Sequence, residues 1–150
     1  MTSANIRQAQ PKDWPAIERL LGDARLPVDD LGSDRLDGFL VALDTVGTPP
    51  SVSGAIGLQA FGSAGLLRSL AVDSGHRAAG IGRQLVQALE GKAVAAGLTD
   101  LWLLTLDAEV FFWKLDYRIV ERAKAPASIR NTPEFARLCP ADAHLMHKTL

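Results

Sequence analysis

The chain has a single cysteine, Cys139, among 150 residues. It therefore holds no internal disulfide and suits a reducing compartment. Long apolar runs are missing too: Phe39 to Leu43 and Leu101 to Leu104 stop far short of the roughly 20 residues that span a bilayer. Met1 to Gln10 contains no apolar segment of the kind found in secretory leaders. Excess charge of either sign is lacking. Sixteen Lys and Arg against 17 Asp and Glu leave a net charge of −1, which gives no general attraction to nucleic acid or anionic lipid. There is no internal repeat and no low-complexity tract. What is present is a 47% share of apolar residues, spread evenly and sufficient for the core of one domain over residues 1–150. The expectation is a soluble cytoplasmic domain without nucleic-acid or membrane partners; a homodimer stays open.

The chain is organised around Leu66 to Glu90, LLRSLAVDSGHRAAGIGRQLVQALE. An apolar strand, Leu66 to Val72, turns through Asp73, Ser74 and Gly75. The stretch Arg77-Ala78-Ala79-Gly80-Ile81-Gly82 then opens a helix whose Ile81, Leu85, Val86 and Leu89 share one face. Such a turn directs several free N–H groups and the positive end of a helix dipole at one point, which suits a phosphate. Gly80 and Gly82 lack a Cβ and let a ligand approach the main chain. The alternative is an ordinary strand–turn–helix whose glycines serve packing.

The remaining elements follow in order. Asn5 to Ala9 reads as a strand. A helix carrying Ile17, Leu20 and Leu21 follows, with Asp13 as its N-cap, and Leu26-Pro27 breaks it. Asp29 to Leu36 reads as a second short helix, and Phe39 to Asp44 as a strand. Ser51 to Phe61 is a third strand, in which Gly54 and Gly57 mark close contacts or a bulge. Gly62 to Gly65 makes a hairpin turn. Gly97 stops the long helix, and Leu101 to Thr105 is an apolar strand parallel to Leu66–Val72 by the βαβ rule. A helix over Ala108 to Leu115 carries Phe111, Phe112 and Leu115, with Trp113 also assigned to the core. A strand from Tyr117 to Glu121 comes next. Thr132-Pro133 caps a short helix over Glu134 to Leu138, and Ala143 to Thr149 is the last strand. The fold class is α/β: a mixed sheet with helices on both faces.

With these motifs in order, the sequence resembles the GNAT N-acetyltransferases. Their Q/R-x-x-G-x-G/A signature stands here as Arg77 to Gly82, behind a strand ending in Leu70-Ala71-Val72. Their A-x-x-F-Y-x-x-x-G-F pattern stands as Ala108, Phe111, Phe112, Asp116 and Tyr117. The segments GLLRSLAV, LWLLTLDAEVFFWKLDY and SIRNTPEFARLCPADAHLM look more narrowly like the arsenic-resistance proteins of the ArsN type. Relatives of that branch acetylate the amine of amino-acid toxins bearing an arsenic or phosphorus acid group. The resemblance implies the GNAT fold, a twisted and mostly antiparallel sheet of six to seven strands with a splayed central parallel pair. It implies acetyl-CoA as co-substrate, no metal, and a small-molecule amine as acceptor. On it, Leu70, Ala71 and Val72 pair with pantetheine amides, and the loop Arg77, Ala78, Ala79, Gly80, Ile81, Gly82 and Arg83 seats the pyrophosphate, with Thr105 nearby. Two positions depart from the pattern. Phe112 stands where many relatives carry a proton-donating tyrosine, and Asp116 replaces a glycine expected to be left-handed.

The implied reaction is direct attack of a neutral amine on the thioester in a ternary complex. A main-chain N–H at Leu70 would stabilise the oxyanion, a contribution often near ~3 kcal/mol. An α-amino group is already about one-tenth neutral at pH 7, so water suffices as proton acceptor. A thiolate also leaves fairly well unaided, so Phe112 implies a slower enzyme rather than none. Leu70, Ser69 and Phe112 are the catalytic candidates. Arg68, Ser69 and Arg130 are the substrate-binding ones. Arg68, in an apolar strand, is either a clamp for an acidic substrate group or the partner of a carboxylate, and Ser69 should face the opposite way. His76 reads as a turn residue, Cys139 as an inert thiol, and His144 and His147 as too far out of phase for a metal. An acetyl-CoA sensor with little catalysis and a protein N-terminal acetyltransferase are the competing functions.

Overall fold

The computed structural model describes residues 5–135 and 142–150, with the main chain alone for 77–79. Cys139 and the end of the helix expected over 134–138 lie outside the described residues. Seven strands form one sheet: β1 (Asn5–Gln8), β2 (Phe39–Asp44), β3 (Ser51–Phe61), β4 (Ala64–Val72), β5 (Asp100–Thr105), β6 (Arg118–Val120) and β7 (His144–Thr149). Their spatial order is β1-β2-β3-β4-β5-β7-β6. Every neighbouring pair is antiparallel except β4 and β5, which run parallel. The described helices are α1 (Trp14–Asp23), α2 (Ile81–Ala95), α3 (Glu109–Trp113) and α4 (Ala127–Arg130).

Alternation along the strands decides which helix covers which face. Leu40 and Ala42 of β2, Ile56 and Leu58 of β3, and Leu101 and Leu103 of β5 point to one side, where α2 buries Ile81, Leu85, Val86 and Leu89 upon them. Phe112 and Tyr117 close the same layer. Phe39, Val41 and Ala55 point the other way, against Ile17, Leu20 and Leu21 of α1. Farther along that second face, Leu66, Trp102 and Leu145 meet Ile129 of α4 and Phe135.

Four local expectations change. Asp29 to Leu36 is not a helix but a succession of single turns, closed by Leu31 N–H to Val28 O and Arg35 N–H to Gly32 O. Gly32, Ser33 and Asp34 favour turns, and the Asp30 side chain is drawn away to a tertiary partner. Helix α1 ends at Asp23, ahead of Leu26-Pro27. Arg25 turns left-handed (φ 58°), and Leu26 N–H reaches back to Leu21 O. Asp13 stands at the N-cap position of that helix, but its side chain makes no capping bond there; its carboxylate accepts from Gln10 N–H at 2.7 Å and pairs with Arg7. Trp113 is 57% exposed rather than core, and the Arg118 guanidinium lies 4.8 Å above its ring. The short helix α4 gave no sequence signal: four residues are too few to show a period.

Candidate active site

The parallel pairing of β4 and β5 covers only Ala64–Leu66 against Asp100–Trp102. Beyond it β4 stays on β3 and β5 stays on β7, so the two strands diverge. The gap is a cleft of about 970 Å³. Its walls are Leu67–Val72 on one side, Leu103–Ala108 and Phe112 on the other, and the Asp23–Asp29 loop with Glu134 and Ala143 across the mouth. A cleft at the carboxyl ends of splayed parallel strands is where an α/β sheet offers a ligand its main chain.

One extra residue in β4 shapes the floor. Ala55 pairs with Ala71 and Gly57 with Arg68, so Ile56 alone faces both Ser69 and Leu70. This is a β-bulge, and Ser69 adopts φ 61° within it. For a residue with a Cβ that conformation costs of order 1–3 kcal/mol unless the surroundings hold it. The bulge also resets the alternation. Leu67 packs on the α2 face, and so do Leu70 and Val72, whereas Ala71 packs on the α1 face. Ser69 therefore does not oppose Arg68 as strict alternation requires: Arg68 Nε donates to Ser69 Oγ at 3.0 Å. Glycine at position 57 permits the arrangement, because a Cβ there would lie 2.6 Å from the Phe39 ring.

Arg68 lines the cleft, yet its guanidinium is fully buried and engaged. Nη1 and Nη2 donate to the two Asp30 oxygens at 2.5 and 2.9 Å, a bidentate fork, and Nη2 lies 3.2 Å from Glu134 Oε2. Of the two readings of Arg68, the structure shows the carboxylate-paired one. Burial pushes the Asp30 carboxyl up, but the Arg68 hydrogen bonds and charge outweigh it and hold Asp30 below the ordinary carboxylate value. A carboxyl depressed in the folded state stabilises above its unfolded pKa, about 4, and loses that contribution as pH falls through the lower folded value. The urea midpoint should accordingly drop on acidification below about pH 4, and drop less steeply in Asp30→Asn.

The turn over residues 74–82 packs beside Val72, which lines one end of the cleft. After Asp73, whose Oδ1 accepts from Gly75 N–H at 3.2 Å, residues Ser74–Ala79 form a 3₁₀ turn containing Arg77, Ala78 and Ala79. Gly80 follows with φ 75° and caps α2, whose first turn is Ile81, Gly82 and Arg83. Amides of a first helical turn point outward along the axis, since no carbonyl precedes them in the helix. A Cβ on Gly80 would meet nothing within 4 Å, so its main chain is open to approach. Gly82 lies against the cleft: a Cβ there would stand 3.8 Å from Val72 and 3.4 Å from Phe111. His76 ties the turn to the end of β2 through Nε2 to Asp44 Oδ2, 2.7 Å.

Leu70, Ala71, Val72, Ser69, Phe112 and Thr105 all line the cleft, Ser69 and Phe112 buried and Leu70 and Thr105 half-buried. Thr105 Oγ1 also accepts from Ala108 N–H at 3.0 Å and so shapes the turn into α3. Arg130 is not brought there. It is exposed, and its Nε donates to Ala125 O. Asp116 is left-handed, φ 76°, as a glycine replacement must be. The chain's one tyrosine, Tyr117, gives its hydroxyl to Glu90 Oε2 at 2.8 Å and does not line the cleft. Among the described residues, no group of three His, Cys, Asp or Glu side chains is placed to hold a metal. No described helix is long and apolar enough to cross a membrane. Asp30 and Glu134 are what sequence reading missed; a buried strand arginine signals that a carboxylate must exist, without saying where.

The sequence pattern described as the Acetyltransferase (GNAT) family matches residues 4–117. The chain belongs to the GNAT acetyltransferase family. It is an acyltransferase, and its seven-stranded mixed sheet with the parallel β4–β5 pair is the GNAT fold. No curated protein matches it in sequence. Among solved structures it resembles N-acetylglutamate synthase from Neisseria gonorrhoeae, complexed with coenzyme A and N-acetyl-glutamate. The TM-score is 0.83 at 19% identity, covering 100% of this chain but 36% of the synthase. It resembles Rv2747 from Mycobacterium tuberculosis in complex with CoA, TM-score 0.81 at 23% identity, over 97% of this chain and 99% of that one. The PaiA N-acetyltransferase of Thermoplasma acidophilum, also with coenzyme A, gives 0.70 at 16%, over 99% and 100%. This GNAT chain spans about a third of the gonococcal synthase.

Proposed function

We propose that this GNAT acetyltransferase moves the acetyl group of acetyl-CoA to the amine of a small molecule, by direct attack within one ternary complex. The observation that carries the reading is the coincidence of splayed strands and a bulged β4 along one cleft, with the first turn of α2 packed beside Val72 at its edge. Pantetheine would lie beside Leu70, Ala71 and Val72 as an added strand does. The pyrophosphate would sit on the amides of residues 78–83, with Arg77 and Thr105 at the edges of the cofactor. The acetyl carbonyl then falls at the bulge, where the main chain of Leu70 stabilises the oxyanion. The amine lone pair attacks the carbonyl carbon, the nitrogen gives up a proton to water, the C–S bond breaks, and coenzyme A leaves as a thiolate that takes a proton. With Phe112 lacking a hydroxyl and Tyr117 bound to Glu90, water is the proton donor.

The acceptor would enter from the side of the Asp23–Asp29 loop, which lines the cleft. We infer an amino-acid-like toxin of the arsenic-resistance class as that acceptor, on the ArsN-type likeness of residues 65–72, 101–117 and 128–146. Because Arg68 is already paired, an acidic substrate group would have to displace Asp30 to reach it. The test is calorimetric titration with acetyl-CoA, followed by thiol release across a panel of amines that includes such toxins. Saturable binding with turnover of at least one small amine is expected. Binding without turnover of any amine would leave a sensor, and turnover confined to peptide N-termini would make it a protein acetyltransferase.

A further inference from the structure

Ser69 is a β-branch-free residue with a Cβ, held left-handed in the middle of a strand, at the point where the cleft needs its main chain turned inward. Something must hold it there. The Ser69 hydroxyl accepts from Nε of Arg68, the residue immediately before it. That guanidinium is itself immobilised, fully buried and forked onto Asp30. A donor fixed in this way fixes the side chain it grips, and with it the torsions of the peptide between the two residues.

We propose that Arg68 is a positioning residue for acetyl transfer. Through Ser69 Oγ it holds the bulge in its left-handed form, and through Asp30 it sets the loop on the acceptor side of the cleft in register with that bulge. The substrate then meets a main chain shaped by Arg68 rather than the guanidinium itself. This rests on the cleft being the site of acetyl transfer, as proposed above.

Three variants test it. Ser69→Ala keeps the Cβ and loses the tether, Ser69→Gly loses the tether but needs none at positive φ, and Arg68→Lys keeps the cation and loses Nε. Misplacement of reacting groups should lower kcat about tenfold or more in Ser69→Ala, with KM for acetyl-CoA little changed. Ser69→Gly should retain several-fold more kcat than Ser69→Ala. Equal losses in the two would make the hydroxyl a group that acts on substrate, and no loss in either would remove its role; both overturn the proposal. Amide hydrogen exchange in residues 67–71 decides it independently of turnover: exchange should quicken in Ser69→Ala and Arg68→Lys, and unchanged exchange in both overturns it. A parent protein that releases no thiol with any amine would instead count against the transferase reading, leaving the exchange result to decide the tether.

Discussion

Arg68→Ala should unfold far more easily than the parent protein, by about 3–5 kcal/mol in urea titration, because it removes one member of a buried ionic cluster and leaves the others in place. Asp30 and Glu134, with side chains 16% and 6% exposed, would stay in place without the cation they share. Neither can turn to water without opening the loop or the segment after α4. The size of the loss discriminates between the two readings of this arginine. A substrate clamp held out in the cleft would behave as an exposed side chain, within about 0.5 kcal/mol of the parent, and would show itself only in turnover. A loss near one-third of the stability of an ordinary domain means that Arg68 is part of the frame. The double variant Arg68→Met with Asp30→Asn should recover part of the deficit, since a neutral amide costs less to leave part-buried and unpaired than a carboxylate. If Arg68→Ala melts with the parent, the cluster does not hold the fold as described.

Gly82→Asp should move stability and cofactor affinity in opposite directions. The position is in the first turn of α2, and a Cβ there makes only ordinary contacts with Phe111 and Val72, so the fold accepts it. A carboxylate near a helix N-terminus is favourable by about 0.3–1 kcal/mol, and the melting temperature should rise slightly or hold. The same charge would stand where the pyrophosphate is proposed to sit. At about 6 Å and an effective dielectric of about 40, each pair of like charges costs about 1.4 kcal/mol, so two phosphate charges cost nearly 3 kcal/mol. Acetyl-CoA should therefore bind about 100-fold more weakly by calorimetry. The penalty should shrink as salt is added. Unchanged affinity would move the diphosphate away from this helix end, and with it the account of residues 78–83.

The positions of β2 and β3 were readable to the residue, because each is a short, mostly apolar run bounded by turn residues, buried on both faces between α1 and α2. The turn over residues 74–80 into α2 was legible as a turn. A glycine at 80 answers a requirement of the main chain itself, the observed φ of 75°. Asp116 was legible for the same reason. Trp113 was misread because an aromatic residue beside two others looks like core until the helix is seen to have only five residues and one buried face.

Residue types and spacings along the chain thus determined the sheet, the parallel pair, the turn into α2 and the family. They did so because hydrogen-bonding period, chirality and the absence of a Cβ act within a few residues of where they are written. Only the tertiary structure decided that β4 carries an extra residue at Ser69, that Arg68 and Ser69 meet, and that Asp30 leaves its expected helix to reach them. Those outcomes depend on a ring, Phe39, sliding under Gly57 and on a carboxylate 38 residues from its arginine. No local pattern carries such information, since the free energy that selects it arises only when distant segments exclude water together.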